Sequence, residues 1–109
     1  MIARMITVSV CYPKNATSRF DFEYYLKRHI PLVVSRWAGM GLAKAELLKG
    51  SAALDGGGPG FELIGLLSFD SIESMRSALE VHGNEIIADI RNFTNVHPLI
   101  QVNEPLSTE

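Results

Sequence analysis

The segment Phe61–Phe69, FELIGLLSF, constrains this chain more than any other. It is almost continuously apolar and bounded by Gly60 and Asp70, so it reads as a strand. Phe61, Leu63, Leu67 and Phe69 point to one face with Gly65 between them, and Ile64 and Leu66 point to the other. A sheet with helices on one face and water on the other alternates apolar and polar residues. This strand does not, so both of its faces require cover.

The rest of the chain supplies cover for one face. Residues 4 to 12 (RMITVSVCY) are rich in β-branched side chains and predict a first strand, ended by Pro13-Lys14-Asn15. Asp21 suits a helix N-cap. From there Phe22, Tyr25, Leu26, His29, Leu32, Val33 and Trp37 form the stripe of an amphipathic helix closed by Gly39 and Gly41. Residues 42 to 49 predict a weaker strand with Ala43, Ala45 and Leu47 on one face, and 50 to 60 a flexible connection. Asp70 and Glu73 resemble a capping box. Ile72, Met75, Leu79 and His82 line a second helix, with a further helical turn or two from Asn84 to Ile90. After the polar connector 91–95, residues 97 to 103 predict a last strand, and 104 to 109 a frayed tail.

This order is the split βαβ pattern, an α+β, ferredoxin-like βαββαβ domain with a four-stranded antiparallel sheet. Right-handed crossovers put both helices on one face and strands one and three in the centre. The simplest cover for the other face is the same sheet from a second copy, packed roughly 10 Å away. A homodimer through sheet faces is therefore expected. Ile6, Val8 and Val10 would pack into its interior, and Thr7, Ser9 and Cys11 would face the helices.

With 109 residues and 47% hydrophobic content, residues 1–109 make a single domain. The formal net charge is −2 with no basic stripe, which argues against a nucleic-acid partner. No apolar stretch approaches the roughly 20 residues that span a bilayer, and the first residues carry no signal-peptide pattern. One cysteine, Cys11, precludes an intrachain disulfide and suits a cytoplasmic location.

His29 is the first candidate for catalysis. It lies on the stripe with Tyr25, Leu26, Leu32 and Val33, and imidazole titrates near neutral pH. Pro31 removes a backbone N–H and crowds the Lys27 carbonyl, so the helix should bend and open a cleft beside His29. A neutral core histidine bonded to a backbone carbonyl remains the alternative. Tyr25, one turn earlier, would orient the imidazole, bind a substrate oxygen or serve as a core aromatic. Small side chains at Ser9 and Cys11 would floor a substrate pocket roofed by His29. Nothing marks Cys11 as a stabilised thiolate. Trp37 suits a pocket wall or the core, and His82 the same cavity or a helix cap. Phe93 and Asn95 in the connector are further candidates for substrate contact, though such side chains commonly anchor the chain or satisfy backbone. Three scattered histidines make no metal motif. The Gly56–Gly60 run leads into a strand rather than a helix, so it is no phosphate cradle.

Several stretches resemble the EthD family, named for ethyl tert-butyl ether degradation. They are Met5 to Pro13, Arg19-Phe20-Asp21 leading into Tyr24-Tyr25-Leu26 and His29-Ile30-Pro31, Phe69-Asp70-Ser71, and His82-Gly83. Asp89-Ile90, Asn92-Phe93-Thr94-Asn95-Val96 and Pro98 complete the likeness, which covers nearly the whole chain. The resemblance implies a dimeric α/β barrel and leaves chemistry open, since such scaffolds carry isomerases, oxygenases, cyclases, decarboxylases and haem-degrading enzymes. The expectation is an enzyme needing no cofactor, acting in a degradation pathway on a small apolar carbonyl compound, lactone or aromatic by acid–base chemistry. One alternative is a non-catalytic module that binds a hydrophobic small molecule or supports a neighbouring protein. Another is a haem-linked or reductase-type oxidoreductase.

Overall fold

The computed structural model describes residues 5–106. Its strands are β1 (Ile6–Pro13), β2 (Leu42–Lys49), β3 (Phe61–Phe69) and β4 (Leu99–Asn103). They form one antiparallel sheet in the order β2-β3-β1-β4. The two most apolar strands are central, as the pattern predicts. Between β1 and β2 the chain runs through α1 (Phe22–Tyr24), a π turn (Tyr25–His29) and α2 (Ile30–Trp37) without leaving helical dihedrals. Helix α3 (Ile72–Asp89) follows β3 and ends in a 3₁₀ turn over Ile90–Asn92.

The helical face of the sheet holds the core. Ile6, Val8, Leu67 and Phe69 pack there against Val33 and Trp37 of α2 and Met75, Ala78 and Ile86 of α3. Tyr12, Leu63, Tyr25, Ile90 and Phe93 make an adjoining aromatic-rich cluster. The register decides which side of β1 takes part. Ile6 stands opposite Phe69, Val8 opposite Leu67, Val10 opposite Gly65 and Tyr12 opposite Leu63. Directly opposed residues share a face, so the large residues of β1 lie under the helices. Thr7, Ser9 and Cys11 share the open face with Ile64, Leu66 and Ser68. This reverses the expected orientation of β1: Ile6, Val8 and Val10 are not on the face left for a partner sheet.

Other local expectations shift for identifiable reasons. Leu26 is 56% exposed, because the buried row is Tyr25, His29, Val33 and Trp37 at steps of four, and Leu26 is one residue off it. Ala43 sits in a bulge between Leu42 and Lys44 and is exposed, leaving Ala45 and Leu47 half-buried. Ser71, not Asp70, caps α3 through the Ser74 N–H. The Asp70 N–H is still bonded to the Gly41 carbonyl at 2.9 Å, so the chain has not yet left the sheet there. Gly41, at φ 99°, turns the first helix into β2, and a Cβ there would fall 2.6 Å from that of Ser74. Helix α3 runs unbroken through Gly83, and its buried positions are Met75, Ala78, Gly83 and Ile86 rather than Leu79. Strand β4 starts at Leu99, since Pro98 has no N–H to donate. Of the first strand's expected start, Arg4 lies outside the described residues. Among the described residues no helix is long and apolar enough to cross a membrane.

Candidate functional site

Pro31 explains how His29 is presented. A proline two residues into α2 cannot donate a hydrogen bond and crowds the turn before it. The backbone responds with a widened turn, in which the Ile30 N–H reaches the Tyr25 carbonyl, five residues back. Single π turns of this kind recur at functional sites. The expected bend is thus replaced by a local rewinding that keeps Tyr25 and His29 buried at 2% and 4% exposure.

The imidazole meets Asp89, the last residue of α3, with Nδ1 2.9 Å from Oδ2. An ionised carboxylate only accepts, so Nδ1 carries the proton. The other oxygen, Oδ1, accepts from the Tyr24 hydroxyl at 2.7 Å and from the Asn92 amide at 2.9 Å. Burial pushes the Asp89 carboxyl up. The hydrogen bonds from Tyr24, Asn92 and His29, with the histidine's charge, outweigh that and hold it below the usual carboxylate range. Burial lowers the affinity of His29 for a second proton, and the nearby Asp89 only partly restores it. The ring is therefore neutral at pH 7. No partner for Nε2 exists among the described residues, and no buried side-chain nitrogen or oxygen there is left unpaired. That atom accordingly opens on free space, with its lone pair available as a base.

The free space is a cavity of about 70 Å³ between the helices and the centre of the sheet. Tyr12, Tyr25, His29, Trp37, Gly65 and Ile86 are among its walls. Apart from the two phenols and the imidazole, the walls are apolar. Tyr25 stacks on His29 with ring centres 5.5 Å apart. Gly65 makes room for the Tyr25 hydroxyl, since a Cβ at that position would stand 3.1 Å from the phenolic oxygen. Ile87, Ile90 and Ile100 line both this cavity and an open groove of about 540 Å³, where Arg91 and His97 also lie. The enclosed space takes a small molecule or part of one. Among the described residues no three His, Cys, Asp or Glu side chains are grouped to hold a metal ion.

The other sequence candidates divide. Trp37 is both wall and core, its indole N–H donating to the Ala78 carbonyl at 2.9 Å. Phe93 is 3% exposed and packs its ring 4.6 Å from that of His29, but does not line the cavity. Ser9 and Cys11 are corrected outright. They lie on the opposite face of the sheet, where the Ser9 hydroxyl accepts from Asn103 at 3.1 Å. A pocket between them and His29 does not exist. His82 sits mid-helix, away from the cavity and from any helix end, 3.9 Å from Glu85. Asn95 spends its amide on backbone, accepting from Arg19 N–H at 2.8 Å and donating to the Thr17 carbonyl at 3.0 Å. It pins the loop before α1 and stands outside the cavity. Asp89 and Tyr12 were missed as site residues. Asp89 carried one signal: a carboxylate at a helix C-terminus opposes the helix dipole and needs a compensating partner.

Comparison with known proteins agrees with the fold. No family model and no curated protein matches the chain. Among solved structures, an EthD-like protein from Ralstonia eutropha JMP134 is 36% identical, with a TM-score of 0.87 over 99% of this chain and 97% of that one. An EthD family protein from Bacillus halodurans C-125 shares the fold at 16% identity, with a TM-score of 0.67 over 94% of this chain and 99% of that one. Rv0793 from Mycobacterium tuberculosis does so at 14% identity and a TM-score of 0.58, over 96% and 97%.

Proposed function

This chain belongs to the EthD-like family, and we propose that within it the protein is a cofactor-independent enzyme using His29 as a general base on a small, largely apolar carbonyl compound, lactone or aromatic. One observation carries the reading. The Nδ1–Asp89 hydrogen bond at 2.9 Å sets the tautomer and leaves Nε2 as the free base beside an apolar cavity. This is the division of labour by which a carboxylate orients a catalytic histidine. Tyr25 supplies a neutral O–H donor on the same wall, suited to oxygen charge that develops as a proton leaves carbon.

A base that removes protons from carbon is detectable before its natural substrate is known. Small cyclic ketones and lactones in heavy water, followed by NMR, report exchange of the hydrogens next to the carbonyl. The protein is expected to accelerate exchange for at least one of them, and His29→Ala to abolish it with unchanged circular dichroism. Full exchange activity in that variant overturns the reading.

The cavity's apolar walls favour a second reading, a module that binds a hydrophobic small molecule without turning it over. Ligand binding without exchange would select it. In either case a cytoplasmic homodimer fits the chain, joined through the open sheet face. Ile64 and Leu66 lie at the centre of that face, and Leu48 and Leu99, 50% and 61% exposed, flank them.

A further inference from the structure

Tyr12 and Tyr25 are 1% and 2% exposed, and their rings meet edge to face at 6.1 Å. A tyrosine buried this deeply normally pairs its hydroxyl. Among the described residues neither hydroxyl has a partner, yet no side-chain polar atom there is both fully buried and unpaired. Each hydroxyl must therefore touch open space, and the space both rings border is the cavity holding His29. The Trp37 N–H is already committed to Ala78. The side-chain polar groups left to a ligand are one imidazole lone pair and two phenolic O–H donors.

We propose that Tyr12 and Tyr25 together cradle one oxygen atom of the ligand, and that the ligand is a small, apolar, enolisable carbonyl compound held through that oxygen. The inference rests on His29 acting as the base. Nε2 takes a proton from the carbon beside the carbonyl. The C–H electron pair becomes the new C=C bond, and the carbonyl π pair moves onto oxygen. The oxyanion accepts from both phenols, and return of the proton from Nε2 to carbon re-forms the carbonyl. Hydrogen bonds strengthen as the oxygen gains charge, so the pair stabilises the enolate more than the ketone. Burial, with a smaller effect of Tyr25 on Tyr12, drives both phenols well above their ordinary range, so they remain donors at neutral and mildly alkaline pH. Both are held firmly, Tyr12 on β1 opposite Leu63 and Tyr25 in the π turn over Gly65.

The test uses 4-nitrophenol, whose anion carries oxygen charge as an enolate does and whose absorbance reports its ionisation. The full chain is expected to bind the phenolate and to lower the pH at which the bound phenol ionises. Tyr12→Phe and Tyr25→Phe should each weaken phenolate binding by about tenfold or more, as loss of a hydrogen bond to a charged group does, whereas Ser9→Ala, on the opposite face of the sheet, should retain it. Undiminished binding by a folded Tyr12→Phe variant overturns the cradle, as do an unchanged or raised ionisation of the bound phenol and a failure of the unaltered chain to bind. Should Tyr12→Phe not fold, the ionisation measured on the unaltered chain decides alone. Failure here is separable from failure of the base: exchange lost in His29→Ala, with phenolate binding indifferent to the tyrosines, removes only the cradle.

Discussion

The imidazole of His29 donates from Nδ1 to Oδ2 of Asp89 at 2.9 Å, a contact between residues 60 positions apart that joins the π turn to the end of α3. It determines which ring nitrogen faces the cavity. On the proposed reading, Asp89 is a positioning residue that acts through the histidine.

Asp89→Asn keeps the shape of the carboxylate and removes its charge. An amide oxygen still accepts from Nδ1–H, but it stabilises an imidazolium far less. Exchange activity should fall by about 10²-fold or more, on the scale of general acid–base assistance. Asp89 raises the proton affinity of His29, so the acid limb of the pH–rate profile should move to lower pH. A purely structural role would lower stability and leave the limb in place.

Stability should depend on pH through His29. Its affinity for a proton in the folded chain is lowered by burial. Below about pH 6.5, the ordinary histidine value, the unfolded chain takes up a proton that the folded chain resists. Unfolding is favoured wherever the unfolded state binds more protons. Thermal midpoints should therefore fall as pH drops from 7 toward 5, and His29→Gln should flatten that slope. Asp89, held low, contributes stability present above the usual carboxylate range and lost only as pH falls below about 4. The two windows separate in a melt series.

Gly65→Ala places a methyl group 3.1 Å from the Tyr25 hydroxyl. A contact that tight requires the hydroxyl to give way by a few tenths of an ångström. A destabilisation of about 1–3 kcal/mol, typical of overpacking, should accompany a larger loss of turnover. Denaturant melts and exchange rates measure the two. Activity and stability both at parent levels would show that the hydroxyl has room to spare.

Leu66→Glu puts a charge at the centre of the open sheet face without touching the helices. Sedimentation should show a dimer for the parent chain and a folded monomer for the variant. Ser9→Ala and Cys11→Ala lie on that same face. They should leave proton exchange intact, unlike any change at His29.

Much of the fold was legible because its signals are local. Alternation in residues 6–12, the apolar run 61–69 and the four-residue steps from Tyr25 to Trp37 each report a single element's geometry. The site was legible where it lay on one of those stripes, as with His29, Tyr25 and Trp37. Ser9 and Cys11 were misplaced because a strand's two faces are a binary choice that its own residues do not settle. Small polar side chains on β1 suit an open face as well as a pocket floor. Asn95 and His82 looked reactive by residue type, but their surroundings engage them elsewhere.

By itself, then, the sequence determined the elements, their order and the two-helix, four-strand architecture, because periodicity arises between residues a few positions apart. Tertiary structure alone decided which face of β1 meets the helices, through its register with β3. It alone brought Asp89 to His29 and left the hydroxyls of Tyr12 and Tyr25 beside the cavity. The physical reason is range: a hydrogen bond between residues 60 apart exists only once the elements carrying them have packed, and no local pattern encodes that meeting.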